Sequence, residues 1–313
     1  MSGNMNRREA LCGLIAGSAG ILRAFETPVR LDLGGARLDV YIDADDFSSG
    51  NAVLLDWVRR SARAVIAYFG RFPVAQARLY ITVSDRGRVS RGVSYGEAGA
   101  HITISVGRST TVHDINADWE LTHEMVHFGF PSVNRRHHWI EEGTATYVEP
   151  IARAMTGILT GEQVWSEMRR DMLQGLPEAG DHGLDHTHTW GRTYWGGALF
   201  CLAADVEIRR RTGNTMGLQD ALRAINRAGG TIEAEWPLER ALRIGDEATE
   251  GRTLTELYDK MASQPFVVDL NYLWEQLGVR DNSPGVVLDP KAPWAPVREA
   301  ICPNERQEVK EHD

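Results

Sequence analysis

The chain has 313 residues, 42% hydrophobic and 25% charged, with 34 basic against 43 acidic side chains and a formal net charge of −9. That balance excludes wholesale disorder, and an acidic surplus is the wrong field for neutralising phosphates, so no nucleic-acid partner is expected. Three cysteines are too few for a disulfide scaffold or a structural zinc finger, and no apolar run reaches the roughly 18–20 residues of a membrane helix, so no transmembrane segment is expected in the mature chain.

Residues 1–24 have the layout of an export signal. Arg7 and Arg8 make a positive start, the apolar run from Leu11 to Leu22 is too short to span, and Arg23-Ala24 offers a small residue for cleavage. The pair resembles a twin-arginine signal, although the apolar residue usual soon after it is delayed to Leu11. The expectation is an exported or periplasmic protein if this signal operates, and a cytoplasmic one if it is a plain N-terminus. Removing it takes Cys12 away. Cys201 and Cys302 then either pair in an oxidising compartment or stand as two buried thiols.

Residues 25–313 are expected to form a single unit: a β-rich part at 25–115, a helical part at 116–265 and a packed C-terminal tail at 266–313. Leu38–Ala44, Ala77–Ser84 and Ala100–Gly107 alternate with period two and are rich in β-branched residues, so they predict strands. Between the first two, Leu54, Leu55, Val58, Ala62, Val65 and Ile66 make one helical stripe over Asn51–Phe69. Further helices are predicted at Asp118–Phe128, Glu142–Thr156, Thr193–Thr212, Met216–Arg227 and Leu254–Met261. Strands gathered ahead of helices predict the α+β class: an N-terminal mixed β-sheet with one helix, then a mainly helical half.

The chemistry concentrates at His123-Glu124-Met125-Val126-His127. Spacing i, i+4 puts both imidazoles on one helix face, one turn apart, where they can ligate one ion. Glu124 stands beside them as a general base for water, and a buried helix carrying two histidines and a glutamate needs polar partners that a metal would supply. A metzincin pattern would require Gly at 130 and His at 133, where Phe130 and Val133 stand.

Trp139-Ile140-Glu141-Glu142-Gly143-Thr144-Ala145-Thr146-Tyr147 resembles the W-x-x-E-G-x-A-x-Y segment of gluzincin peptidases, notably the aminopeptidase N and glycyl aminopeptidase families. The resemblance implies a thermolysin-like catalytic half, one Zn2+ per chain, and Glu142 as the third ligand after His123 and His127. A helix starting near Glu141 would bring its opening turn to the metal. His127 and Glu142 stand fifteen positions apart, which tightens the loop Gly129–His138 and leaves Glu141 as a competitor. His137 and His138 are further candidate ligands, or exposed neighbours of Arg135 and Arg136. Glu149, seven residues past Glu142, either accepts the second N–H of a ligand histidine or is a surface carboxylate.

Gly191–Asn214, with Leu218–Asn226, resembles a glycyl aminopeptidase segment of the form Y-x-x-G-A-L-…-D-x-x-I-R-x-x-T-G. The resemblance implies that Tyr194 donates a hydrogen bond to the tetrahedral oxyanion, as a neutral phenol can. His182, His186 and His188 precede it in a polar run, as an active-site loop or a solvated one. The family uses the edge strand before the zinc helix to pair with substrate, a place that Ala100–Gly107 occupies in sequence. Aminopeptidase N relatives also hold the substrate's free amine through a glutamate before that helix. The nearest candidate is Glu97 in Gly96-Glu97-Ala98-Gly99, which a turn between strands explains as well. The expected function is a zinc-dependent peptidase acting on a peptide or protein, with an unknown oligomeric state. The competing readings are a non-catalytic, zinc-stabilised peptide-binding or maturation protein, and a zinc hydrolase of non-peptide amides or esters.

Overall fold

The structure, a computed structural model, describes residues 27–43, 47–85 and 87–303; the export signal read at 1–24 lies outside them. Five strands come first: β1 (Val29–Leu33), β2 (Ala36–Asp43), β3 (Gln76–Ser84), β4 (Ser90–Tyr95) and β5 (His101–Gly107), in the order β1-β2-β3-β5-β4. β2, β3 and β5 run parallel, while β1 and β4 pair antiparallel at the two edges. The sheet is therefore mixed. Its period-two apolar residues Leu38, Val40, Leu79, Ile81, Ile102 and Ile104 are buried on one face. The other face carries ring pairs, Tyr41 on Tyr80 and Tyr95 on His101, with centroids 4.9 and 4.8 Å apart.

The parallel β2–β3 step requires a crossover, which α1 (Asn51–Phe69) supplies. Its stripe of Leu54, Trp57, Val58, Ala62 and Val65 is buried, and it ends where Gly70 adopts φ 79° and returns its N–H to Ile66 O at 2.7 Å. After α2 (Val112–Ala117), α3 (Glu120–His127) and α4 (His138–Met155) pack on α1. The rest of the helical half is α5 (Gly161–Asp171), a π turn at Arg192–Gly196 running into α6 (Gly197–Arg211), α7 (Leu218–Arg227), α8 (Leu238–Ala248) and α9 (Thr253–Met261). Residues after 265 add α10 (Leu270–Leu277), the hairpin β6–β7 (Val279–Asn282, Gly285–Leu288) and α11 (Ala295–Ile301). No helix among the described residues is long and apolar enough to cross a membrane.

Three expectations change. The strand at the sheet edge is β4, not the Ala100–Gly107 run, because β4 folds back as a hairpin and covers β5. Ser90–Tyr95 reads Ser-Arg-Gly-Val-Ser-Tyr, and an exposed edge needs too little apolar alternation to announce itself. The Glu142 helix begins at His138, after a short turn at Arg135–His137 that Asn134 caps through Arg136 N at 3.2 Å. Glu142 thus sits in the second turn. His137 is buried rather than exposed. Cys201 and Cys302 are both buried and unpaired.

Candidate functional site

α3 and α4 lie against each other, and their facing sides carry the polar residues. His123 Nε2 stands 3.3 Å and His127 Nε2 3.6 Å from Glu142 Oε2. The three ligand atoms fall within 4.8 Å of one another. Donors about 2.0–2.1 Å from a common tetrahedral ion would be separated by about 3.3 Å, so this donor set and spacing fit zinc. Burial alone would raise the Glu142 carboxyl, but hydrogen bonds from His123, His127 and His138 outweigh it and hold it well below the usual carboxylate range. His127 is raised: burial opposes its charge, and Glu142 and Glu124 outweigh burial.

Glu142 is held from outside too. His138 Nε2 is 3.1 Å from its Oε1, while Nδ1 is 3.0 Å from Glu141 Oε2. Those two contacts, Glu141 first, push His138 up to about 9. Glu141 is turned the other way, accepting from Val133 N at 3.4 Å, and takes no place in the three-residue cluster. His137 serves the packing: its Nδ1 meets Asp185 Oδ1 at 2.8 Å, and Trp139 Nε1 and the Tyr258 hydroxyl donate to the same carboxylate at 2.8 and 3.0 Å.

The opposite wall is built by glycines. A Cβ on Gly143 would lie 2.2 Å from Gly197 C, and one on Gly197 would lie 2.0 Å from Trp139 O. α4 and the start of α6 therefore meet backbone to backbone, which brings Tyr194, in the π turn, beside Glu142 and His123. The Tyr194 ring stacks 6.3 Å from His123, and Glu142 and Glu124 both act on its hydroxyl electrostatically. Burial, with Glu142 and Glu124, pushes Tyr194 up to about 12, so it stays a neutral donor. π turns are frequent at functional sites. Glu124 is buried on α3 beneath β4, where Gly92 approaches its side chain.

The remaining candidates are placed elsewhere. The hydrogen bond Glu149 accepts comes from Arg153 Nη1 at 2.8 Å, not from a ligand histidine. Glu97 is exposed in the β4–β5 turn, and His182, His186 and His188 are exposed on their loop. None of Glu97, His182, His186 and His188 belongs to the cluster of His123, His127 and Glu142. Sequence reasoning missed the side chains around His123. Trp119 meets it edge-on at 5.5 Å, and Trp190 stacks on Tyr194 at 5.6 Å. They flank a cavity of about 120 Å³ that reaches Glu149 and Glu167. The signal in the sequence was a tryptophan between Asp118 and Glu120 and another closing a polar run; the structure leaves them 52% and 60% exposed, where a packed aromatic is the usual expectation.

The mixed sheet leading into paired helices is similar in fold to structures of the aminopeptidase N family and of M1 zinc metallopeptidases. One such structure, an aminopeptidase N family protein from Idiomarina loihiensis, superposes with a TM-score of 0.60 at 14% identity, over 83% of this chain and 51% of that one. An M1 zinc metallopeptidase from Deinococcus radiodurans gives 0.51 at 16% identity, over 78% and 53%. The chain spans about half the length of either. No protein-family model matches it, and no curated protein matches it.

Proposed function

We propose that the chain is a zinc-dependent peptidase of the gluzincin type, with one ion held by His123, His127 and Glu142. The observation that carries this is the convergence of those three donors beside Glu124 and Tyr194. When bound, the ion supplies Lewis-acid polarisation of a carbonyl and lowers the pKa of water toward about 7. Glu124 takes the proton from the attacking water and hands it to the leaving amine. Tyr194 donates its hydroxyl hydrogen bond to the carbonyl oxygen as that oxygen becomes negative. The β4 edge, unpaired on its outer side among the described residues, offers backbone groups to an extended peptide by strand addition.

The test is Glu124→Gln. That variant should keep about one zinc per chain by metal analysis and lose hydrolysis of a mixed peptide library read by mass spectrometry. Undiminished cleavage would remove Glu124 from the mechanism. A wild-type protein that binds zinc yet leaves the library intact would instead point to a binding protein or to a non-peptide substrate.

A further inference from the structure

The cavity beside His123 has a chemistry that the hydrolytic step does not use. Its volume, about 120 Å³, suits one side chain, since a cavity of about 150 Å³ takes a benzene ring. Trp119, Trp190 and Trp195 form its walls, and Thr146, Glu149 and Glu167 add polar groups. Glu149 is only 5% exposed. Its Oε1 is taken by Arg153, and Oε2 has no hydrogen bond among the described residues. Glu167 makes no ion pair within 4.0 Å among the described residues; Arg170 attracts it but is in contact with Asp171. Thr146 Oγ1 is likewise buried without a hydrogen-bond partner among them.

The local charges do not balance. Glu149 feels Glu167 and Asp118 beside Arg153, and Glu167 feels Asp171 beside Arg170 and Arg153, so four carboxyls share two guanidinium groups. Asp118 is held by Trp57 Nε1 at 3.0 Å and Leu121 N at 3.2 Å, neither of them a cation. Burial pushes Glu149 up to about 8 against the opposing pull of Arg153. Glu149 therefore keeps its proton near neutral pH, and a cation entering the aromatic-walled space beside it would favour its ionised form.

We propose that this cavity receives a lysine or arginine side chain of the substrate, at a residue flanking the bond cleaved, with its charged head against Glu149 and Glu167 and its methylene stem between Trp119 and Trp190. The assignment deepens the peptidase reading and rests on it for the position of the cleaved bond. Stem and head are matched separately: tryptophan faces accept methylenes and attract a cation, while carboxylates take charge-assisted hydrogen bonds.

The experiment compares peptides differing at one flanking residue, lysine against norleucine and arginine against citrulline, with the zinc-loaded full chain. The cationic member should show kcat/KM higher by about ten- to hundredfold, the scale of a charge-assisted hydrogen bond. Glu167→Gln and Glu149→Gln should each bring that ratio at least about threefold closer to one. A ratio near one in the wild type, on either side of the bond, overturns the assignment. Calorimetry with Nα-acetyl-lysine amide and Nα-acetyl-norleucine amide separates this from the peptidase reading. If no peptide is cleaved but the lysine probe binds preferentially and Glu167→Gln removes that preference, the peptidase reading fails and the cation cavity stands. Equal binding of the two probes overturns the cavity.

Discussion

Gly92 has no side chain because the space a Cβ would fill is already taken. The added atom would lie 2.9 Å from Glu124 Cγ and 3.1 Å from Glu120 Cγ, and Gly92 N also donates to Glu120 Oε1 at 2.5 Å. The obstructing atoms are flexible side chains rather than backbone, so an alanine would shift Glu124 more readily than it would unfold the edge. Gly92→Ala should lower kcat/KM for peptide hydrolysis by about 100-fold, as a misplacement near 1 Å can, while costing about 1–3 kcal/mol in stability by overpacking. Kinetics and a denaturant melt on one preparation check both; wild-type kcat/KM would discard the tight approach as a catalytic constraint. At this scale the sequence was unevenly legible. His123, Glu124 and His127 announce themselves because i, i+4 spacing has a geometric meaning. Trp119, Trp190 and Glu167 do not, because residues that meet only through folding have no spacing to read.

Between elements, the decisive contact is the crossing of α4 with α6 at Gly143 and Gly197. Gly143→Ala places a methyl group into backbone that cannot yield, so it should cost about 1–3 kcal/mol or more by overpacking and separate Tyr194 from Glu142. Equilibrium denaturation measures the first effect, and the loss of hydrolysis measures the second. A variant as stable as the wild type would mean that the helices can part without cost. α1 was legible to its end residues because its apolar stripe is long and Gly70 stops it. The start of α4 was not: His138 and Trp139 look like loop until Asn134 caps the turn before them. α5, α8 and α10 were missed although each buries an apolar stripe: Val164, Trp165 and Met168; Leu238, Ala241 and Leu242; and Leu270, Leu273, Trp274 and Leu277.

At the scale of the whole molecule, one contiguous cluster of buried residues runs from Leu31 in the sheet to Cys302 at the close of the described chain. Ordering the metal-ligating cluster should therefore stabilise the sheet and the tail together. Zinc added to chelated protein at 100 times its Kd should raise the unfolding free energy by about 2.7 kcal/mol in a single transition. Glu142→Ala should abolish that gain, whereas Glu141→Ala should retain it; thermal melts with metal analysis read both. The reverse pattern would make Glu141 the ligand. The α+β order of strands before helices was legible in the sequence. The topology was not, because β4 alternates weakly and β1, although it alternates, is only five residues long.

The bare backbone crossing at Gly143 and Gly197 also divides the site by stiffness. Glu142 and Tyr194 are borne by two elements locked at van der Waals contact, so thermal motion carries them as one body. Gly92 and the β4 edge lie across the cleft on an outer strand with an irregular register between Ser90 and Val93. On the proposed peptide reading, the glycine crossing fixes one side of the cleft, and any adjustment to a long peptide falls to β4, which meets α3 through the side chains of Glu120 and Glu124.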